Sequence, residues 1–188
     1  DYVVSRAFKK LEVIIQVSRE IIKKSHKIIV LKGQNAQEDL KKAFKREKYP
    51  YKLDFMRRLH DHAKELLTTE DPFVLGGDYN VIPEDADAYE PENWRGDALF
   101  CAETHAAWRK LIYLGLTDAF RVFNPEAGRY SYWDYRAGAW NKDHGIRIDH
   151  LLLSPQAADL LISSDIDRTP RGWERPSDHT PVWCELEI

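Results

Sequence analysis

The residues with the most chemistry in this 188-residue chain fall in three short segments. Gly76-Gly77-Asp78-Tyr79-Asn80 follows an apolar run, Arg147-Ile148-Asp149-His150 leads into Leu151-Leu152-Leu153-Ser154, and Ser177-Asp178-His179-Thr180-Pro181-Val182 stands near the C-terminus. Each sets carboxylate, amide or imidazole groups at the end of a strand-like stretch, and strand ends far apart in sequence converge along one sheet edge. Asp78 and Asn80 alternate across a strand end with Tyr79 facing the other way, so both point into one site. Hydrolysis of a phosphate ester needs a group that orients or deprotonates water, with donors or a metal for the developing charge. Asp78 suits the first task and Asn80 the second. His179, with Asp178 beside it, can contact a phosphoryl oxygen or a metal-bound water. Its tautomer must be set by another carboxylate, and Asp149, on a strand buried behind by Leu151–Leu153, is the natural one.

Taken singly, each motif has a plainer meaning. Gly-Asp-X-Asn describes a strand-to-loop turn, Ser-Asp-His-Thr-Pro a capped turn before an edge strand, and Asp149 a structural acceptor. Their occurrence together, in this order, favours the hydrolytic centre. Tyr130-Ser131-Tyr132-Trp133-Asp134-Tyr135-Arg136 adds stacking faces and a cation. That mixture suits nucleic acid, a base or sugar packing on a ring of Tyr132 or Trp133 while Arg136 meets phosphate. A core strand of alternating aromatics is the competing reading. Lys142 and Arg147 are further candidates for phosphate contact. His26, His60, His62, His105 and His144 show no zinc-ligand spacing.

The elements that must position these groups read as alternating helices and strands. Tyr2–Val4 and residues 27–31 are expected strands, and residues 8–22 and 37–45 expected helices. Residues 51–67 carry the clearest helical stripe, with Leu53, Met56, Leu59, Ala63, Leu66 and Leu67 on one face and Pro50 just ahead. Residues 73–75 form a buried strand that delivers Gly76-Gly77-Asp78. A polar loop is expected over 83–97, a helix over 104–114 ending at Gly115, and a helix over 156–162 after Pro155. Strands are expected at 130–134, 146–153 and 181–187. The pattern is an α/β sandwich.

Bulk properties narrow the function classes. No apolar run reaches the roughly 18–20 residues of a membrane span, so no membrane partner is expected. Cys101 and Cys184 have no metal-ligand spacing and make no disulfide framework, which favours a reducing, cytoplasmic setting. Residues 1–48 hold thirteen Lys/Arg against six Asp/Glu, whereas 49–188 hold fifteen against 25. This change of sign places a boundary near Lys48.

From about Glu47 to Ile188 the sequence resembles exonuclease III, the abasic-site endonuclease family of the endonuclease/exonuclease/phosphatase superfamily. The likeness lies in Tyr51-Lys52-Leu53, Gly77-Asp78-Tyr79-Asn80-Val81, Tyr132-Trp133-Asp134-Tyr135-Arg136, Arg147-Ile148-Asp149, Leu152-Leu153-Ser154 and Ser177-Asp178-His179. It implies half of a four-layer α/β sandwich and a DNA phosphodiesterase that uses Mg²⁺ (or Mn²⁺) on abasic-site duplex or 3′ ends. By that likeness Asp78 activates or positions the nucleophile, Asn80 orients it and binds phosphate, and His179, held by Asp149, binds the scissile phosphate. Asp178 would sit in or beside the Mg²⁺ site with His179. Tyr132 falls where the family lines its abasic-sugar pocket, with Ile146 and Ile148 nearby.

Residues 1–46 differ. Ser5-Arg6-Ala7-Phe8, Leu11 and Leu31-Lys32-Gly33 resemble the C-terminal part of a 16S ribosomal-RNA guanine-7 methyltransferase, without its glycine-rich cofactor loop. The expectation is therefore a methyltransferase-like remnant over 1–46 joined to the second half of an exonuclease III-like domain over 47–188. The resemblance assigns the family's principal metal-binding Glu, an early Asn and a phosphate-contacting Tyr to the first half. Glu12 and Glu20 lie on an expected helix and do not replace them. The chain is then expected to have little activity alone, with a separate chain as a possible source of the other half. A non-catalytic nucleic-acid-binding protein and a decayed fusion product are the alternatives.

Overall fold

In a computed structural model, the structure describes residues 2–4, 27–29 and 49–187. The helices expected over 8–22 and 37–45 lie outside the described residues. Strands β1 (Tyr2–Val4) and β2 (Lys27–Ile29) pair in parallel, Val3 opposite Ile28.

Helix α1 (Tyr49–Leu67) forms as the apolar stripe requires, burying Met56, Leu59 and Ala63 at helical spacing. Its end is capped by Thr68 and Thr69, whose hydroxyls return to the carbonyls of Glu65 and Leu66 at 2.6 and 2.9 Å. Strand β3 (Val74–Asp78) follows, then two short 3₁₀ turns at Asp85–Asp87 and Pro91–Trp94 within the expected loop. Helix α2 (Ala102–Ile112) buries Thr104, Trp108 and Leu111 and stops ahead of Gly115, whose φ of 97° favours glycine. Strand β4 (Thr117–Asp118), short helices α3 (Ala119–Phe123) and α4 (Ala139–Lys142), and strand β5 (Asp149–Leu153) come next.

β5 is the centre of the sheet β3–β5–β4, both neighbours antiparallel to it. All five of its residues are buried, because the sheet is covered on both faces. Leu152 faces a core with Met56, Leu59, Ala63, Leu75, Trp108 and Leu111, the layer made by α1 and α2. Leu151 and Leu153 face the other way, against Val74, Ala119 and Ala157 and half-buried Val182, Cys184 and Leu186. The last three belong to β7 (Val182–Leu186), which pairs with β6 (Leu161–Ile166) as a second, antiparallel sheet. Helix layer, sheet and sheet are stacked as the α/β expectation requires.

Two expectations fail locally. The helix over 156–162 shrinks to α5 (Pro155–Ala158), N-capped by Ser154, and Leu161–Ile166 becomes strand. Cross-strand bonds to β7 outweigh a short helical start in a run of serines with weak helical preference. The strand over 130–134 is replaced by isolated bridges, Tyr132 pairing with both Ile146 and His179.

Candidate active site

The register of β3 on β5 sets Asp78 directly opposite Asp149, at one end of the sheet. The third motif reaches them through the aromatic segment. Tyr132 exchanges backbone bonds of 3.0 Å with Ile146, Trp133 N–H donates to the Asp178 carbonyl at 2.9 Å, and Thr180 N–H to the Ser131 carbonyl at 2.8 Å. Residues 130–133 thus tie the segment before β5 to the segment before β7. Gly145 is required beside this crossing, since a Cβ there would meet Trp133 Nε1 and Tyr130 Cβ at 2.7 Å.

His179 is brought into this corner and buried. Its Nδ1 stands 2.7 Å from Asp149 Oδ2, and its Nε2 lies 4.0 Å from Asp78 Oδ2. A carboxylate accepts only, so Asp149 takes the Nδ1 proton and Nε2 is the nitrogen that faces Asp78. Asp149 Oδ2 also accepts the hydroxyl hydrogen of Ser131 at 2.8 Å, and the same hydroxyl accepts the N–H groups of Ile148 and Asp149 at 3.2 and 3.1 Å. Asp78 Oδ1 accepts the Asn80 N–H at 2.9 Å, an Asx turn that carries Asn80 to a left-handed φ of 54°. Asn80 Oδ1 is buried and has no hydrogen-bond partner among the described residues. The Tyr132 ring meets the His179 ring edge-on, centroids 4.9 Å apart. A cleft of about 490 Å³ opens beside Asp149 and His179, lined also by Gly76, Gly77, Trp173, Ser177 and Thr180.

Asp78, Asn80, Asp149, His179 and Tyr132 therefore come together as the sequence leads one to expect. Other expected contacts lie elsewhere. Arg147, read as a phosphate contact, is fully buried: its Nε donates to Asp87 Oδ1 at 2.6 Å and its Nη1 to Asp118 Oδ2 at 2.8 Å. Trp133 is also fully buried, its Nε1 donating to Asp143 at 3.0 Å, so its ring is core and presents no stacking face. Ile146 is 2% exposed and packs behind Tyr132 with Ile82, Ala88, Leu99, Phe100 and Ile148. Arg136 is exposed and held by Asp134, at 3.0 Å to Oδ1 and 2.6 Å to Oδ2. Ser131 is the participant that sequence reasoning missed. A lone small polar residue inside an aromatic run is the one signal that marks Ser131.

Asp178 is half-buried, and its described bond is through the backbone carbonyl. Among the described residues no three His, Cys, Asp or Glu side chains stand together as a metal site. Mg²⁺ demands near-octahedral oxygen coordination. The described side chains do not by themselves make the Mg²⁺ (or Mn²⁺) site implied by the resemblance. Among the described residues no helix is long and apolar enough to cross a membrane.

Comparison with known proteins points the same way. The model of the endonuclease/exonuclease/phosphatase family matches residues 14–179, beginning inside the segment likened above to a methyltransferase. Exodeoxyribonuclease III of Haemophilus influenzae is 33% identical over 147 residues, covering 74% of this chain and 55% of that protein. Among solved structures, a 3′ phosphatase, NExo, from Neisseria bound to a product DNA hairpin superposes with a TM-score of 0.73 at 36% identity, covering 75% of this chain and 55% of that one. An AP endonuclease from Archaeoglobus fulgidus gives 0.72 at 32% identity, over 76% and 56%. The chain thus spans about half the length of these relatives, and its α/β layers are half of their fold.

Proposed function

Because the chain belongs to the endonuclease/exonuclease/phosphatase family, we propose that it carries the histidine–aspartate side of a DNA phosphodiesterase centre acting at abasic sites or 3′ ends in DNA repair. The observation that carries this reading is the 2.7 Å contact between His179 and Asp149, with Asp78 across from the other imidazole nitrogen. The gap of 4.0 Å between His179 Nε2 and Asp78 Oδ2 is too long for a hydrogen bond. One oxygen atom placed between them, of water or of phosphate, would lie within hydrogen-bond reach of both. Neutral His179 accepts a proton at Nε2, and protonated His179 donates from it to a phosphoryl oxygen. Asp149 stabilises the imidazolium and keeps the ring from turning. The Asn80 side-chain oxygen, buried and without a partner among the described residues, would accept from the attacking water.

A divalent cation, Mg²⁺ or Mn²⁺, belongs to this proposal and would supply charge stabilisation at the phosphoryl oxygens. Its remaining ligands would come from outside the described residues, from the part of the relatives' fold that this chain does not span. We therefore expect the 188-residue chain alone to incise abasic-site duplex poorly in Mg²⁺. Addition of a polypeptide matching the relatives' other half should restore incision, and His179→Ala should then remove it by about 10²–10⁴-fold. Efficient incision by the chain alone overturns the shared-centre reading. Restored incision indifferent to His179→Ala overturns the assigned centre.

A further inference from the structure

Lys52 lies on α1, and its ammonium reaches acceptors in three parts of the chain. Nζ donates to the backbone carbonyl of Asn80 at 2.7 Å, to that of Ala98 at 2.6 Å, and to Thr104 Oγ1 on α2 at 3.2 Å. An ammonium has three N–H groups, and all are engaged. The acceptors are themselves fixed: buried Thr104 donates its hydroxyl to Ala98 at 2.7 Å, and Tyr49 Oη lies 2.6 Å from Cys101 Sγ and 3.3 Å from Thr104 Oγ1. Asn80 is the one residue of the Asp78–Asn80–Asp149–His179 set with a positive φ. A left-handed residue bearing a side chain persists where its surroundings hold it. Its N–H is held by Asp78, and its C=O by Lys52.

We propose that Lys52 is a positioning residue of this site: by holding the Asn80 carbonyl it sets the turn that places the Asn80 amide beside Asp78, and through Ala98 and Thr104 it fastens that turn to both helices. The consequence for phosphate binding rests on the phosphodiesterase reading; the positioning itself does not. Burial brings the Lys52 amine down to about 8, against the opposing pull of Cys101, Asp97 and Asp78. Among the described residues these three and Tyr49, reached through Thr104, are the ionisable groups around it. Loss of the proton removes one of the three donors and the positive charge, so the bond to the Asn80 carbonyl is no longer charge-assisted and weakens in mildly alkaline solution.

The test follows the Asn80 backbone and side-chain amide resonances of the ¹⁵N-labelled chain by NMR, from about pH 6.5 to about 9.5. It also measures affinity for a duplex bearing a 3′-phosphate at neutral pH. The wild-type Asn80 resonances should shift with the Lys52 amine, with a midpoint at about 8. In Lys52→Met the resonances should stand at their alkaline position throughout, and the duplex should bind about tenfold more weakly. Asn80 resonances indifferent to pH and to the substitution overturn the positioning, and unchanged affinity in a variant whose Asn80 resonances have moved overturns its consequence for phosphate binding. Should Lys52→Met not fold, the wild-type titration decides alone. Should wild type not bind the duplex even with a polypeptide matching the relatives' other half added, the phosphodiesterase reading falls while the Asn80 resonances still decide the role of Lys52.

Discussion

Ser131 has one hydroxyl hydrogen and two lone pairs, and it uses all three. The hydrogen goes to Asp149 Oδ2 at 2.8 Å, and the lone pairs take the N–H groups of Ile148 and Asp149. The residue that orients His179 is thereby itself oriented, on side chain and backbone together. Ser131→Ala would strand two buried N–H groups and remove a donor from a buried carboxylate. Leaving such groups unpaired costs about 1–3 kcal/mol each, so urea denaturation should show a loss of roughly 2–4 kcal/mol. A loss within the noise of a surface substitution would show that the pocket relaxes around the missing hydroxyl. Asp149 and His179 are legible in the sequence because two rare groups follow in a fixed order with Asp78. Ser131 is not, because a serine between two tyrosines carries no mark of what it faces.

At the scale of elements, Arg147 shows where pattern reading stops. In a regular strand it would share a face with Asp149 and so would point into the site. Instead its Nη1 lies 3.0 Å from His150 Nδ1, so the two share a side and the alternation is broken just before β5 begins at Asp149. Its carboxylate partners come from the 3₁₀ turn of Asp85–Asp87 and from β4, segments distant in sequence. Arg121 of α3 joins the same Asp87 carboxylate. Burial would raise the Asp87 carboxyl, yet Arg147 and Arg121 outweigh it and hold it below the ordinary carboxylate range. Breaking a buried pair from one side typically costs about 3–5 kcal/mol. Arg147→Met should therefore destabilise the chain by that order, and Arg147→Met with Asp87→Asn by less than the sum of the singles, read by equilibrium unfolding of all three variants. Simple additivity would mean that no pair acts across these elements. Helix α1 was legible, because Met56, Leu59 and Ala63 repeat at helical spacing whatever lies nearby. Strand β6 was not, because Leu161–Ile166 becomes a strand through its partner β7.

At the scale of the whole molecule, His150 couples folding to acidity. It is fully buried as the second residue of β5, against Trp108 and Tyr79 on one side and the Arg147 network on the other. An arginine N–H cannot accept, so Nδ1 must accept from Arg147, and Nε2–H donates to the Val81 carbonyl at 2.9 Å. A second proton on Nδ1 would face a guanidinium in a dry interior. Burial first, and Arg147 next, push the imidazole down to about 4, from the usual value of about 6.5 in an unfolded chain. Between those two pH values the unfolded chain binds a proton that the folded chain refuses. Stability therefore falls as pH falls through this window, by up to ~1.4 kcal/mol per unit and roughly 3 kcal/mol across it. Asp87, whose carboxyl is depressed, contributes its loss below that window, when pH falls beneath about 4. His150→Gln keeps a donor for the Val81 carbonyl and removes the titration. Urea unfolding at several pH values between about 4.5 and 7.5 should show the variant weaker near neutrality and flatter toward acid, by close to one proton. Parallel pH dependences for the two chains would mean that the fold opens around His150 and admits its charge.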